Sequence, residues 1–236
     1  MDAPGLDRAR HVEALRALAH VNRLSLTARR VWAEVRRLDR ERGRLRAARG
    51  QAGPAGQRRA PERPVRVLDI ACGGGDVLRE VGALAHRHRV AVELHGCDIS
   101  DLALEEARLR APDLHFFRLD VRDDSLPGGY DLLCSSLFLH HLADREAVQL
   151  LRSMKEATSG SLLVEDLRRS WLGYGLARLG LARLTRSEVA RVDGPRSVRA
   201  AFRVDEVRQL CAHAHMDGAR VRPCWPQRFT VRWSAS

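Results

Sequence analysis

Lysine is almost missing from this chain: Lys155 is the only one among 41 Lys and Arg residues. Long apolar runs are missing too, so no stretch reaches the length needed to span a membrane as a helix. The first residues, Met-Asp-Ala-Pro-Gly, lack the charged-then-apolar order of a secretory signal. Cysteine is sparse and odd in number. Cys72, Cys97, Cys134, Cys211 and Cys224 are scattered, with no Cys-x-x-Cys pair and no His/Cys cluster. That excludes a disulfide framework and a zinc-finger spacing, and it predicts a reduced, cytoplasmic chain. Aromatics make up only 5% of residues.

What is present is arginine, and it is unevenly placed. Residues 1–66 hold 17 Arg against 7 Asp/Glu, so they carry nearly all of the net charge of +11. The remaining residues are close to neutral. A coding bias toward arginine produces such a count without selection for phosphate binding, so the charge alone does not call for a nucleic-acid partner.

Residues 65–78 organise the chain. Val65, Val67, Leu68 and Ile70 read as a buried strand, with Asp69 near its end. Gly73, Gly74 and Gly75 make a tight turn, and a helix starts at about Asp76. A strand, a glycine turn and a helix N-terminus in that order cradle a nucleotide, because glycines let the backbone approach and the first N–H groups face the ligand. The acidic residue precedes the glycines, as Asp69-x-Ala71-x-Gly73-x-Gly75, which separates the motif from the Gly-x-Gly-x-x-Gly of hydride-transfer enzymes. Asp98 ends the second strand, where a carboxylate accepts from both hydroxyls of a ribose; a cap for the following helix is the other reading. Asp120 ends the third strand, within reach of an adenine amine.

From residue 65 onward strands and helices alternate, which predicts a parallel sheet with helices on both faces. Strands are expected at 65–70, 90–97, 114–119, 130–135 and 161–165. Helices are expected at 76–88, from Leu102 through Ala107, at 144–157 and from Val204 to about His215. Strands at 219–223 and 228–233 read as a closing antiparallel pair. The fold class is thus α/β, with a Rossmann-like, mostly parallel sheet of seven strands and an antiparallel C-terminal hairpin. Before it, two amphipathic helices, about 6–20 and 25–49, read as an N-terminal helical appendage on a flexible linker at 50–64. Residues 167–200 interrupt the alternation as a lid-like insertion. Its segment 171–184 is apolar on most sides. A cover over a lipophilic pocket, a homodimer contact and ordinary core packing all account for it.

Four blocks, "VLDIACGGGD", "HGCDIS", "FFRLDVRDDSLP" and "YDLLCSSLFLHHLAD", resemble the class I S-adenosyl-methionine-dependent methyltransferases. The ending "MDGARVRP" and "RFTVRW" resembles that family's closing hairpin. Within the family the chain looks most like the ubiquinone/menaquinone-biosynthesis type and small-molecule methyltransferases of polyketide or phenolic products. The resemblance implies S-adenosyl-methionine as cofactor, held by Asp69, Ala71, Gly73, Gly75, Asp98, Ile99, Asp120, Val121 and Ser135. Ala71 departs from the family, which usually has glycine there. The implied reaction is direct methyl transfer, in which the enzyme supplies proximity, alignment and exclusion of water. His140 is the candidate base, or else a hydrogen-bonded wall residue. Phe138, His141, Glu165, Tyr174 and Arg199 are the expected acceptor-side residues, with His141 structural by family analogy. Glu165 and Asp166 either orient an acceptor or cap the next segment. Asn22, Arg29 or Trp32 of the N-terminal helices can close the pocket, or those helices pack on the domain edge. Ser135-Ser136-Leu137-Phe138 stands where nucleic-acid amino-methylases carry Asn/Asp-Pro-Pro-Tyr/Phe, and the magnesium ligands of the catechol type do not line up. A metal-independent enzyme acting on a small lipophilic or aromatic hydroxyl compound is expected, with C-methylation close behind. An RNA acceptor using the basic N-terminal region and a non-catalytic cofactor-binding partner protein are the alternatives.

Overall fold

In a computed structural model of the protein, residues 8–48, 63–184 and 188–235 are described. In chain order these form α1 (Arg8–Leu24), α2 (Thr27–Ala48), β1 (Val65–Ile70), α3 (Asp76–His88), β2 (Val92–Asp98), α4 (Asp101–Arg110), β3 (His115–Arg118) and β4 (Tyr130–Ser136). A single 3-10 turn at Leu139–His141 precedes α5 (Asp144–Ala157) and β5 (Thr158–Leu167). Then come α6 (Trp171–Leu184), α7 (Glu188–Ala200), α8 (Val204–His213), β6 (Arg220–Cys224) and β7 (Arg228–Ser234).

The strands make one seven-stranded sheet in the order β3-β2-β1-β4-β5-β7-β6. Strands β1 to β5 are parallel, and β7 runs antiparallel to both β5 and β6. Strand β1 is apolar along both faces because both are covered. Val65 and Val67 face one core with Leu132, Leu163 and helices α3 and α4. Leu68 and Ile70 face the other, with Leu133, Leu162, Phe229 and helices α5 and α8. The strand order reverses between β1 and β4, which opens a crevice beyond their C-terminal ends.

Most expected elements are present with boundaries shifted by a few residues. Strand β5 is the exception, running well past both expected ends, because β4 and β7 pair with it along its length. The 167–200 insertion folds as the helix pair α6 and α7. Of the expected linker, residues 50–62 lie outside the described residues.

The N-terminal region is built in more deeply than an appendage. Ala28, Val31, Trp32 and Val35, one stripe of α2, are buried against Val65, Val67, Leu78 and Leu163. Burying each larger side chain of that stripe contributes about 1.5–3 kcal/mol. Arg42 pairs with Asp131, and Arg37 donates to Ser161 Oγ at 2.5 Å, so the arginines flanking the stripe bond to the sheet as well. Helix α2 is therefore one of the layers covering the sheet.

Candidate cofactor and active site

At the end of β1 the backbone turns through left-handed conformations at Ala71 (φ 56°), Gly73 (φ 54°) and Gly75 (φ 67°). Gly75 caps α3 and has no room for a side chain: a Cβ there would lie 2.8 Å from the Phe116 ring. Ala71 adopts the same handedness with a side chain, a cost of about 1 kcal/mol. Asp98 clamps the turn. Its carboxylate accepts from Gly73 N–H at 2.8 Å and from Ser100 N–H at 2.9 Å, tying the β2 end to the glycine loop. The helix cap itself is Ser100, whose hydroxyl accepts from Ala103 N–H. Ile99 beside it is half-exposed, an apolar rim next to the carboxylate.

Asp69 is buried and accepts from the Cys134 thiol at 3.6 Å, while its Oδ2 has no hydrogen-bond partner. Burial first, and the nearby Asp76 carboxylate second, push its pKa up to about 8. Burial likewise raises Asp76, which accepts from Asn22 Nδ2 at 3.2 Å. Two carboxylates bracket the glycine loop, the buried Asp69 with its unpartnered oxygen and the half-buried Asp76, and together they complement a cationic ligand group.

The rim continues through Ser135, which is buried, and Asp120 and Val121, which are half-buried. Asp120 Oδ1 accepts from Arg122 N–H at 3.0 Å, shaping the turn after β3. Beyond β4, His140 is buried and His141 exposed. His140 Nδ1 lies 2.7 Å from Asp166 Oδ1, and the His140 backbone N–H donates to Asp166 Oδ2 at 2.9 Å. Burial alone would raise Asp166, but the His140 ring and its hydrogen bonds hold it below the ordinary carboxylate range. The carboxylate is therefore ionised, and Nδ1 carries the proton. Phe138 and His141 stand together, ring centroids 6.4 Å apart.

Glu165 is not arranged to meet an acceptor. Its Oε1 accepts from Thr27 Oγ1 (2.9 Å) and Arg228 Nη1 (2.7 Å), and its Oε2 from Arg30 Nη1 (2.9 Å). Glu165 and Arg228 are both fully buried. This cluster holds the turn between α1 and α2 over the C-terminal end of β5, and its requirement for paired charges explains the burial. Tyr174 on α6 is half-buried, and Arg199 is exposed on α7, where the neighbouring Val198 takes the buried position. Among the N-terminal candidates, Asn22 reaches the site through Asp76. Trp32 instead lies in the core against His88, and Arg29 is exposed.

Helix α1 roofs the glycine loop. Leu15 is buried there, 3.7 Å from where a Gly73 side chain would begin. Helix α7 packs on the 139–141 turn and on α1. The sequence left Arg228 unnoticed. The alternation of "RFTVRW" puts Arg228, Thr230 and Arg232 on one face of the strand, and nothing in it marks Arg228 as the buried one.

Residues 67–159 match the family model of the methyltransferase domain. Over that stretch the chain is similar to a methyltransferase domain. Curated relatives include the ubiquinone biosynthesis O-methyltransferases of Mesorhizobium japonicum and Thiobacillus denitrificans. The first is 26% identical over 51% of this chain and 48% of the relative, the second 29% over 52% and 53%. The chain thus spans about half the length of the curated relatives it matches. Among solved structures, the magnesium protoporphyrin IX methyltransferase of Synechocystis PCC 6803 is similar in fold. Its TM-score is 0.57 at 16% identity, covering 93% of this chain and 84% of that one. An O-methyltransferase from neocarzinostatin biosynthesis, solved with S-adenosyl-L-homocysteine and 1,4-dihydroxy-2-naphthoic acid, has a TM-score of 0.52 at 23% identity, over 73% and 49%.

The residues of this site fit S-adenosyl-methionine. The left-handed glycine loop admits it, and the unpartnered Asp69 oxygen beside Asp76 suits a group bearing an ammonium and a sulfonium. Among the described residues, no group of three His, Cys, Asp or Glu side chains is placed to hold a metal ion.

Proposed function

We propose that the chain methylates a hydroxyl of a small lipophilic or aromatic acceptor. The observation that carries this reading is the buried pair of His140, on the turn after β4, and Asp166, near the end of β5, at the same C-terminal end of the sheet as the glycine loop. S-adenosyl-methionine supplies an electrophilic methyl group when bound. Asp69, Ala71, Gly73, Gly75, Asp98, Ile99, Asp120, Val121 and Ser135 would hold it along the ends of β1 to β4. Asp166 fixes the His140 tautomer through its bond to Nδ1. His140 Nε2 takes the hydroxyl proton as the acceptor oxygen becomes a nucleophile, and Asp166 stabilises the resulting imidazolium. Helices α1 and α7 exclude water from the reacting atoms. Phe138, His141 and Tyr174 form the acceptor side. The same base removes a proton from an activated carbon acid, so a phenolic ring carbon is the second acceptor atom.

A small acceptor is also supported by how α2 uses its arginines. Arg30, Arg37 and Arg42 pair with Glu165, Glu34, Glu41 and Asp131, so part of the N-terminal charge is neutralised inside the fold. The test is transfer of labelled methyl from S-adenosyl-methionine to hydroxylated aromatic compounds and, separately, to RNA. Label in the phenolic fraction supports the reading. Label in RNA alone overturns it.

A further inference from the structure

Three segments far apart in sequence meet at one rim beside the site. The α1–α2 turn is tied to the β6–β7 turn by Arg30, whose Nη2 donates to the Trp225 carbonyl at 2.7 Å. The β6–β7 turn is tied to the start of α6 by Gln227, whose Oε1 accepts from Ser170 Oγ (2.9 Å) and Arg168 Nη2 (2.6 Å). Large apolar side chains stand out from all three. Trp171 is 92% exposed and Trp225 68%, with Leu24, Leu26, Leu172, Leu176 and Leu179 also exposed. On α6, Trp171, Leu172, Leu176 and Leu179 fall on one side of the helix by their spacing. Scattered apolar residues on a surface are ordinary, but two open tryptophans and five leucines gathered on three bonded segments are not.

The three segments themselves carry charge of one sign, while acidic side chains at this rim come from other elements, Glu206 on Arg169 and the buried Glu165 on Arg30. Residues 14–33, 167–187 and 218–236 contain no Asp or Glu. They do contain Arg23, Arg29, Arg178 and Arg222, all exposed, and Arg168 at the junction. Tryptophan is the side chain best suited to the headgroup layer, because its ring is apolar and its N–H is polar. Arginine beside it adds attraction to anionic headgroups. Among the described residues no helix is long and apolar enough to cross a membrane, so such a contact lies on the surface.

We propose that this rim docks the protein onto an anionic lipid bilayer, with Trp171 and Trp225 as its two anchors. The docking deepens the proposed function, since a lipophilic acceptor then reaches the site from the lipid phase, and it rests on that function only for this consequence. Binding itself is read without any transfer reaction.

The test is flotation of the full chain with phosphatidylcholine vesicles, with and without phosphatidylglycerol, monitored also by tryptophan fluorescence. The expected result is co-flotation with the phosphatidylglycerol vesicles, a blue shift of the emission, and release by high salt. Trp171→Ser with Trp225→Ser should weaken vesicle binding roughly tenfold or more while leaving S-adenosyl-methionine affinity unchanged, which shows that the variant is folded. Absence of flotation with phosphatidylglycerol vesicles, or equal flotation of the double variant, overturns the proposal. So does a concentration-dependent dimer that the double variant loses, seen in a protein that ignores vesicles: the rim is then an interface between copies. Failed methyl transfer with intact flotation leaves the docking standing and counts against the acceptor chemistry alone.

Discussion

Asp166 holds His140 twice, through the ring nitrogen at 2.7 Å and through the backbone N–H at 2.9 Å. A carboxylate that grips both parts of one residue fixes where the ring sits and which nitrogen carries the proton. His140→Ala should lower kcat by about 100-fold or more, the scale of general-base assistance. Cofactor affinity by calorimetry should stay within about twofold, because the ring bonds to Asp166 and not to the glycine loop. Equal loss of both would make His140 a cofactor or structural residue.

Asp166→Asn removes the charge and keeps an acceptor for Nδ1. The ring then loses the charge that stabilises the imidazolium formed during transfer, so kcat should fall by about 10–100-fold while cofactor affinity is unchanged. Equal loss of kcat and cofactor affinity would assign Asp166 a purely structural part.

Asp69 carries the pH dependence of the glycine-loop site. Its pKa is raised from the usual carboxylate value to about 8, first by burial. Between about pH 4 and 8 the folded chain therefore holds a proton that the unfolded chain has released. Stability contributed by this group is fully present at acid pH and declines as pH rises toward 8. Asp69→Asn should flatten that decline in thermal melts. A cationic cofactor favours the ionised carboxylate, so its binding near pH 7 should release protons, seen as binding heats that vary with the buffer. Heats independent of the buffer would contradict this.

The two unusual turn positions give opposite predictions. Ala71→Gly relieves a left-handed alanine and should raise the melting temperature by about 2–4 °C, equivalent to roughly 1 kcal/mol at this chain length. Gly75→Ala drives a methyl into the Phe116 ring and should cost about 1–3 kcal/mol together with cofactor affinity.

Arg228 and Glu165 are a fully buried pair, 2.7 Å apart, that fastens the α1–α2 turn. Arg228→Met removes the buried one of the two guanidinium partners of Glu165, Arg30 remaining, and should destabilise by about 1–3 kcal/mol, whereas adding Glu165→Leu should recover little of that because Arg30 then loses its carboxylate. Urea denaturation of both variants measures the difference.

The β1–glycine–α3 unit was legible because its signals are local: an apolar run, three glycines and a helix start within 14 residues. The strand alternation and closing hairpin were legible for the same reason. The role of α2 was not. Its stripe of Val31, Val35 and Leu38 shows that one face is buried, but no periodicity names the surface that buries it, and that surface is the sheet itself. The pairing of Glu165 with Arg228 is not legible because the two are 63 residues apart, and only the antiparallel β5–β7 pairing brings them together. Asp166 was visible at the strand end, but its grip on His140 depends on the 3-10 turn after β4 folding back over β5.

The most direct test is single-turnover transfer of labelled methyl from S-adenosyl-methionine to a panel of hydroxylated aromatic acceptors, comparing wild type with His140→Ala. Label on a phenolic oxygen with wild type, and about 100-fold less with the variant at equal bound cofactor, is the predicted result. Transfer undiminished in the variant, or cofactor bound with no acceptor labelled by wild type, would contradict the account.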